Sequence, residues 1–163
     1  MANFDSKHVK NVVLVGHTGS GKTTLTESML FEAGLINRRG TILDKNTVAD
    51  YTDIEHEKGK TFFSKLVYTK WKDYKINLLD TPGYDDFAGE IIGAMRVADC
   101  GLMLLNSAMG VEVGTDIIWT YTDEYKLPML LAVNHLDNEK SDFDKTVREA
   151  KAHFGSNVVV VQY

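Results

Sequence analysis

The chain contains 163 residues, 44% of them hydrophobic, which is enough for one domain with a substantial core and too few for two. Its 18 basic and 23 acidic residues give a formal charge of −5, so the composition provides no general attraction to nucleic acid and no DNA partner is expected. The single cysteine, Cys100, excludes an internal disulfide. No signal-peptide pattern opens the sequence and no apolar run approaches about 18 residues, so we expect a cytoplasmic protein without a membrane segment.

Apolar segments that predict β-strands alternate with amphipathic segments that predict helices. The predicted strands are 11–15, 61–70, 74–79, 101–105, 129–133 and 158–162, and the predicted helices are 22–33, 87–97, 113–125 and 142–153. This alternation predicts an α/β fold with a mostly parallel, doubly wound sheet and helices on both faces. The closely spaced strands 61–70 and 74–79 predict an antiparallel edge hairpin. Residues 35–60 are polar and long for a connection, which indicates a mobile or functional loop.

The segment after the first predicted strand matches the phosphate-binding pattern GxxxxGKT. Its glycines allow backbone N–H groups to point at phosphate oxygens, and the following helix adds the positive end of its dipole. Lys22 would contact the β- and γ-phosphates and Thr23 would ligate Mg²⁺. A glycine-rich turn without a ligand is the alternative. The predicted nucleotide-binding residues of this loop are Gly16, His17, Thr18, Gly19, Ser20, Gly21, Lys22, Thr23 and Thr24.

A second polar turn, Asp80-Thr81-Pro82-Gly83, follows the predicted strand 74–79. Asp80 could hold Mg²⁺ through water, and the Gly83 N–H could bind the γ-phosphate. Alone, this motif is an ordinary turn. After a phosphate loop and an intervening strand, it favours a nucleotide contact.

A third polar turn begins at Asn134, directly after the predicted strand 129–133. The Asp137 carboxylate can accept hydrogen bonds from N1–H and the N2 amino group of guanine, whereas adenine presents an acceptor at N1. This pattern predicts GTP rather than ATP and includes Asn134, His135 and Asp137 in the nucleotide site. A polar turn that caps a helix near Ser141 is the alternative.

Together these segments resemble the GTP-binding domain of the elongation factor G family. The matching segments are 16–24, 50–64, 80–90, 95–99, 107–119 and 134–137, so the resemblance covers essentially the whole chain. It implies a P-loop NTPase fold of the translational GTPase class that binds GTP or GDP with Mg²⁺. It also implies a nucleotide-dependent switch that acts on the ribosome in translocation, which we expect to be a monomer.

The resemblance also assigns roles to the switch segments. Residues 35–60 would form the first switch, Thr61 would sense Mg²⁺ and the γ-phosphate, and residues 84–87 would begin the second switch. The implied catalytic residues are Lys22, Thr61, Gly83 and Tyr84, and the implied metal-binding residues are Thr23, Thr61 and Asp80.

Several residues depart from the family pattern. Tyr84 stands where the family usually carries a histidine that orients the attacking water, and a phenol with a pKa near 10 offers no positive charge at neutral pH. A competent GTPase and a switch that hydrolyses GTP poorly both stay open. Thr18 and Lys60 replace the apolar pair that usually flanks the histidine, and Lys60 either supplies charge to the γ-phosphate or is simply exposed. His135 replaces the usual lysine of the guanine motif.

The family's Ser-Ala loop, which contacts the base, has no match between Asn134 and Tyr163. Residues from about 155 to 163 resemble the start of the subdomain inserted in elongation factor G. We therefore interpret residues 1–163 as a fragment of a GTP-binding domain. A P-loop phosphotransferase acting on a small metabolite is the alternative function, but it would need an arginine-bearing lid, and Arg38-Arg39 is the only adjacent arginine pair.

Overall fold

Five strands form one sheet in the computed structural model, which describes residues 4–163 apart from the side chain of Asp85. The strands are β1 (Val9–Val15), β2 (Lys65–Trp71), β3 (Tyr74–Asp80), β4 (Cys100–Asn106) and β5 (Met129–Asn134). Their spatial order is β2-β3-β1-β4-β5. β1 pairs in parallel with β3 and β4, β4 pairs in parallel with β5, and β2 is antiparallel to β3. The predicted mostly parallel sheet with an antiparallel edge hairpin is therefore confirmed.

Helices cover both faces of this sheet. They are α1 (Lys22–Glu32), α2 (Asp53–Lys58), α3 (Ala88–Met95), α4 (Val113–Glu124) and α5 (Phe143–Phe154), with short 3-10 turns at Ser6–His8 and Asp85–Phe87. Val13 and Val15 pack with buried residues of α3, α4 and α5, whereas Leu14 points to the opposite face and packs toward α1. All three side chains are fully buried. β1 therefore lies at the centre of a doubly wound core, as the sequence predicts.

The carboxyl ends of the parallel strands lie along one edge of the sheet. The register pairs Leu14 with Asp80 and Asn106 with Asn134. The glycine-rich turn leaves β1 at the same edge, beginning at Gly16. In open parallel sheets, ligands bind outside this edge. The fold therefore brings all three polar turns identified in the sequence to one rim.

The long loop between α1 and β2 is folded around two buried glutamates. Glu27 on α1 accepts hydrogen bonds from the backbone N–H groups of Gly40 and Val48, at 3.0 and 2.9 Å. Within the loop, Thr52 and Glu55 form a capping box that starts α2. The sequence predicted no helix here, because a helix of six residues is too short to show periodicity.

Glu55 is the second buried glutamate and joins α2 to β2. Its Oε1 accepts a hydrogen bond from the Phe62 N–H at 3.1 Å, and its Oε2 lies 3.0 Å from Lys65 Nζ. Burial raises the pKa of Glu55, but hydrogen bonds from Thr52, Phe62 and Lys65 outweigh burial and leave this pKa below its usual value. The carboxylate is therefore charged at neutral pH and fixes the end of the loop.

The predicted strand 61–70 begins later than expected, at Lys65. The Ser64 N–H donates to Glu90 Oε2 on α3 at 2.7 Å, and the Phe62 N–H donates to the α2 glutamate described above. The prediction was wrong for residues 61–64, because these backbone groups bond to carboxylates rather than to a neighbouring strand. The Ser64–Glu90 contact links the segment before β2 to α3.

The strand predicted at 158–162 is also absent from the described part of the chain. Val158 packs against the core beside α5, but Val159 and Val161 are 71% and 84% exposed. Valine-rich sequence favours extended backbone, yet a strand also requires ladder hydrogen bonds to a neighbour, and residues 158–162 pair with none of the described strands. The interpretation of residues 155–163 as the start of an inserted subdomain stays a prediction.

The helices of the described chain are short or polar by the standard of a membrane span. Across residues 4–163, none combines the length and the apolar character that a membrane span requires.

Candidate functional site

The turn between β1 and α1 has the backbone conformation that only glycine adopts without strain. Gly16, Gly19 and Gly21 have φ values of 138°, 77° and 97°. A Cβ at Gly16 would lie 2.5 Å from the Leu104 carbonyl oxygen, and one at Gly21 would lie 2.3 Å from Asn134 Nδ2. Glycine is therefore required at 16 and 21 by contact as well as by backbone conformation.

Lys22 lies over this turn in a buried position. Its Nζ donates hydrogen bonds to the carbonyl oxygens of Gly16 and His17, at 2.7 and 3.1 Å. Burial lowers the pKa of Lys22 to about 8, although the charges of Asp80 and Asp50 oppose this effect. A bound phosphate would add negative charge at the ammonium and stabilise its protonated form.

Asp80 lies at the end of β3 and is fully buried. No hydrogen bond of accepted geometry reaches either carboxylate oxygen from the described residues. Burial raises the pKa of Asp80 to about 6, and the nearby Thr23 hydroxyl and Lys22 ammonium offset part of this effect. An unpaired buried carboxylate is costly for a fold, so its position points to a cationic ligand.

Two threonine hydroxyls meet beside this carboxylate. Thr23 Oγ1 on α1 lies 3.1 Å from Thr61 Oγ1, in the segment that leads into β2. Thr61 donates in turn to Asp50 Oδ2 at 3.1 Å. Because the Thr61 proton is used in that bond, Thr23 is the donor to Thr61. The predicted metal-binding residues Thr23, Thr61 and Asp80 are thus brought together.

Asp50 is a member of this group that the sequence analysis did not identify. Its side chain is 4% exposed, and its Oδ1 lacks a hydrogen-bond partner among the described residues. Burial raises the pKa of Asp50, whereas the Thr61 hydrogen bond lowers it. The available signal was an acidic residue at the start of the 50–64 segment that carries the family resemblance.

The turn after β5 is tied directly to the glycine-rich turn. Asn134 Nδ2 donates to the Ser20 carbonyl oxygen at 2.9 Å, and His135 Nε2 lies 3.0 Å from the Gly19 carbonyl oxygen. His135 has a φ of 60° and opens a turn on which Asp137 is exposed. The Asn134 and His135 side chains therefore order the phosphate loop, while the Asp137 carboxylate is accessible to a ligand.

The turn after β3 contacts the phosphate loop on its other side. The Thr18 N–H donates to the Gly83 carbonyl oxygen at 2.9 Å. A Cβ at Gly83 would lie 2.7 Å from Lys22 Nζ. The next residue, Tyr84, has the Lys60 ammonium 4.4 Å from the centroid of its ring. Gly83 therefore lines the cleft beside Lys22, and Tyr84 lies beside Lys60, which also lines the cleft.

The remaining predicted residues contribute in different ways. Thr24 lines the cleft. Ser20 Oγ is buried without a partner among the described residues. The His17 ring is turned toward the start of α4: its Nδ1 lies 2.8 Å from the Thr18 carbonyl oxygen and 3.1 Å from Oε2 of Glu112, which directly precedes that helix. The His17 carbonyl oxygen, by contrast, accepts from Lys22 in the cleft.

These turns enclose a cleft of about 340 Å³, a size typical of small-molecule sites. It is lined by the phosphate loop and by residues of the segment between α1 and β2, which include Asp50, Lys60 and Thr61. Larger clefts of about 450 and 640 Å³ lie under residues 157–163 and are lined mainly by apolar side chains. Polar groups converge in the smaller cleft, which is therefore the candidate functional site.

A family model, the elongation factor Tu GTP binding domain, matches residues 7–162. The chain belongs to this family. Its fold is that of a GTP-binding domain, and its function is to bind a guanine nucleotide. The P-loop NTPase architecture predicted from the sequence is confirmed.

The relatives of this GTP-binding domain narrow the class further. It is 40% identical over 158 residues to the ribosome-releasing factor 2, mitochondrial, of Drosophila yakuba, covering 97% of this chain and 22% of that protein. It is 36% identical over 155 residues to the elongation factor G-like protein of Thermotoga maritima, covering 95% and 22%. A crystal structure of a protein from Thermus thermophilus superposes with a TM-score of 0.87 at 36% identity, covering 91% of this chain and 22% of that one.

The predicted resemblance is therefore confirmed, and the chain is an elongation factor G-like GTP-binding domain. It spans about a fifth of the length of the relatives that it matches.

Proposed function

We propose that this domain is a magnesium-dependent guanine nucleotide switch that hydrolyses GTP and governs the engagement of a ribosome during translocation. The observation that carries the proposal is the convergence of three turns at one sheet edge. Asn134 and His135 contact the carbonyls of the phosphate loop, and Thr18 of that loop contacts Gly83. One ligand that combines phosphates and a base fits such an arrangement.

A divalent cation fits the donor set beside the phosphate loop. The groups available are oxygens only, from the Thr23 and Thr61 hydroxyls and the Asp50 and Asp80 carboxylates. No cluster of three or more His, Cys, Asp or Glu side chains suited to a metal occurs among the described residues. Mg²⁺ suits this set, because it retains waters and binds substrate phosphates rather than an all-protein cage.

In this proposal Thr23 and Thr61 would hold the metal through their hydroxyls, and Asp80 and Asp50 would hold it through water. Mg²⁺, when bound, neutralises charge on the β- and γ-phosphate oxygens. Thr61 would then report the state of the γ-phosphate to the first switch, residues 35–60. The Ser64–Glu90 hydrogen bond and the edge-to-face contact of Phe62 with Phe87 extend this signal to the second switch.

Base selection is assigned to the turn after β5. Asp137 accepts from N1–H and the N2 amino group of guanine, which makes GTP and GDP better ligands than ATP. Asn134 and His135 hold this turn against the phosphate loop. His135 contacts the Gly19 carbonyl oxygen through Nε2, which must carry the proton because a carbonyl can only accept, and so takes the place of the family's usual lysine.

Hydrolysis is assigned to the opposite end of the cleft. Lys22 would stabilise charge on the β- and γ-phosphates, and the Gly83 N–H would donate to the γ-phosphate. Tyr84 would position the attacking water through its hydroxyl but would supply no positive charge. We therefore propose that hydrolysis is slow, since loss of one positioned catalytic group typically costs on the order of 10² to 10⁴ in rate.

The ribosome is proposed as the partner of the whole protein. The proposal is supported by the words "ribosome-releasing factor" and "elongation factor" in the names of the relatives. The predictions of a monomer that does not bind DNA are retained. The cytoplasmic assignment also stays a prediction, since the Drosophila relatives are named as mitochondrial proteins.

Calorimetric titration of the chain with GDP, a non-hydrolysable GTP analogue and ADP, each with Mg²⁺ or with EDTA, tests the proposal. We expect both guanine nucleotides to bind at least tenfold more tightly than ADP, and the GTP analogue to lose affinity in EDTA. Equal binding of ADP and GDP would instead favour the alternative, a P-loop phosphotransferase acting on a small metabolite. Family membership favours the guanine nucleotide switch over that alternative.

A further inference from the structure

Lys60 and Tyr84 form a contact that joins the two switch segments. The Lys60 ammonium lies 4.4 Å from the centroid of the Tyr84 ring, within the range of a cation–π interaction. Lys60 directly precedes Thr61, and Tyr84 directly follows Gly83. The contact therefore connects a residue beside the proposed metal site with a residue beside the proposed γ-phosphate donor.

The backbones on both sides of this contact are held in place. The Lys60 N–H donates to the Glu55 carbonyl oxygen at 3.3 Å at the end of α2, and Thr61 bonds to Asp50. The Gly83 carbonyl accepts from Thr18, as described above. The Lys60 stem therefore begins from an ordered segment, while its four-carbon chain retains the freedom to move its ammonium.

The direction in which Lys60 extends is set by the cleft. Lys60 lines the cleft together with Thr18, Lys22 and Gly83. A γ-phosphate would enter there, because Lys22 Nζ and Gly83 approach each other closely at this point. With GDP bound, the space beside Lys22 and Gly83 would contain no γ-phosphate.

The chemistry of the pair suits a terminal phosphate. A cation–π contact holds an ammonium only weakly where water reaches it, and Tyr84 is only half-buried, whereas a phosphate offers the ammonium full charge and several acceptor oxygens. The three Lys60 donors can rotate to meet a phosphate without moving the backbone. The ring keeps the ammonium at the mouth of the cleft before a phosphate arrives, so less conformational freedom is lost on binding.

We propose that Lys60 binds the γ-phosphate and that Tyr84 is the positioning residue that holds its ammonium beside that site. The pair distinguishes GTP from GDP because only GTP carries the γ-phosphate that the Lys60 ammonium would contact. This inference rests on the proposed guanine nucleotide site and adds a recognition element to it.

Nucleotide affinities of the full chain, measured by calorimetry with Mg²⁺, test the inference without reference to turnover. Lys60→Met should weaken binding of a non-hydrolysable GTP analogue about tenfold and change GDP affinity less than twofold. Lys60→Arg should keep the analogue within about threefold of the unsubstituted chain. Lys58→Met is the matched control, because Lys58 is 55% exposed, pairs with Glu57 at 2.8 Å and makes the same charge change outside the cleft.

The positioning role of Tyr84 is tested with two substitutions. Tyr84→Phe keeps the aromatic face and should leave analogue affinity within about twofold, whereas Tyr84→Leu should weaken it about threefold to fivefold with GDP unaffected. The double variant Lys60→Met with Tyr84→Leu should be no weaker than Lys60→Met alone. Thermal unfolding of each variant checks that the fold is retained.

The outcomes separate this inference from the proposed function. If GDP and the analogue bind the unsubstituted chain but Lys60→Met weakens both equally, or neither, the pair does not recognise the γ-phosphate. If Lys58→Met matches Lys60→Met, the effect is general electrostatics and the inference is also overturned. If the unsubstituted chain binds no guanine nucleotide, the proposed function itself fails.

Discussion

Thr23 and Thr61, which are 38 residues apart in the chain, place their hydroxyl oxygens 3.1 Å apart at the end of the phosphate loop. One belongs to α1 and the other to the segment that leads into β2. Their contact brings the segment before β2 onto the phosphate loop, with the buried carboxylate of Asp50 hydrogen-bonded to Thr61. A metal ion bound at this position would therefore couple nucleotide binding to the conformation of the switch.

Asp50→Asn should weaken the effect of Mg²⁺ on nucleotide binding. Substitution removes a negative charge that holds Thr61, and loss of such an outer-shell partner typically lowers metal affinity about 10- to 100-fold. We expect the Mg²⁺ concentration needed for half-maximal binding of a GTP analogue to rise about tenfold. Asp73→Asn, an exposed change in the β2–β3 turn, is the control. An unchanged Mg²⁺ requirement in Asp50→Asn would contradict the assignment.

Asp80→Asn should stabilise the chain in EDTA while abolishing its response to Mg²⁺. The folded-state pKa is raised to about 6 by burial, so the folded chain disfavours the charged carboxylate. The unsubstituted chain therefore loses stability as pH rises from about 4 to about 6, whereas the variant does not. We expect urea denaturation to show a gain of about 1–3 kcal/mol at pH 7.5 that vanishes near pH 4. A destabilised variant at pH 7.5 would show that the buried carboxylate is satisfied within the protein.

Glu55→Gln should destabilise the first switch and the start of β2. The substitution leaves Lys65, which is 6% exposed, without its charged partner. Removing one member of a buried ion pair costs about 3–5 kcal/mol. Urea denaturation at neutral pH measures this loss. Glu55→Gln with Lys65→Met should recover part of it, because the uncompensated charge is removed; a double variant as unstable as the single one would argue against the pair.

Tyr84→His should increase the rate of GTP hydrolysis. Histidine can orient the attacking water and carry positive charge near neutral pH, whereas the phenol of Tyr84 cannot carry it. In a single-turnover assay of the full-length protein with ribosomes, we expect the rate of GTP hydrolysis to rise at least tenfold. A matching rate in the two proteins would remove the idea that Tyr84 limits hydrolysis.

The parallel sheet and the phosphate loop could be predicted because their signals are local. A buried strand, three glycines and a Lys-Thr pair occur in unbroken order from Val12 to Thr23. Backbone conformation at Gly16 and Gly21 leaves few residues that fit, so sequence and structure agree closely there. The antiparallel hairpin was likewise predictable from the short connection between β2 and β3.

The contacts of buried carboxylates could not be predicted in this way. Glu27 and Glu55 organise the loop at residues 35–60 through bonds to distant backbone groups, which leave no periodic pattern in the sequence. Asp50 was missed for the same reason. The valine-rich segment 158–162 shows the opposite error, because a strong local preference for extended structure does not supply the neighbouring strand that a sheet requires.

The nucleotide preference of Asp137→Asn tests the account most directly. The substitution replaces a carboxylate that accepts from the N2 amino group with an amide that donates to the 2-carbonyl of xanthine. Calorimetry with Mg²⁺ should show that GDP binds the unsubstituted chain at least tenfold more tightly than xanthosine diphosphate, and that the variant reverses this order. If the variant retains the guanine preference of the unsubstituted chain, the base does not lie against the turn after β5, and the proposed convergence of three turns on one guanine nucleotide is wrong.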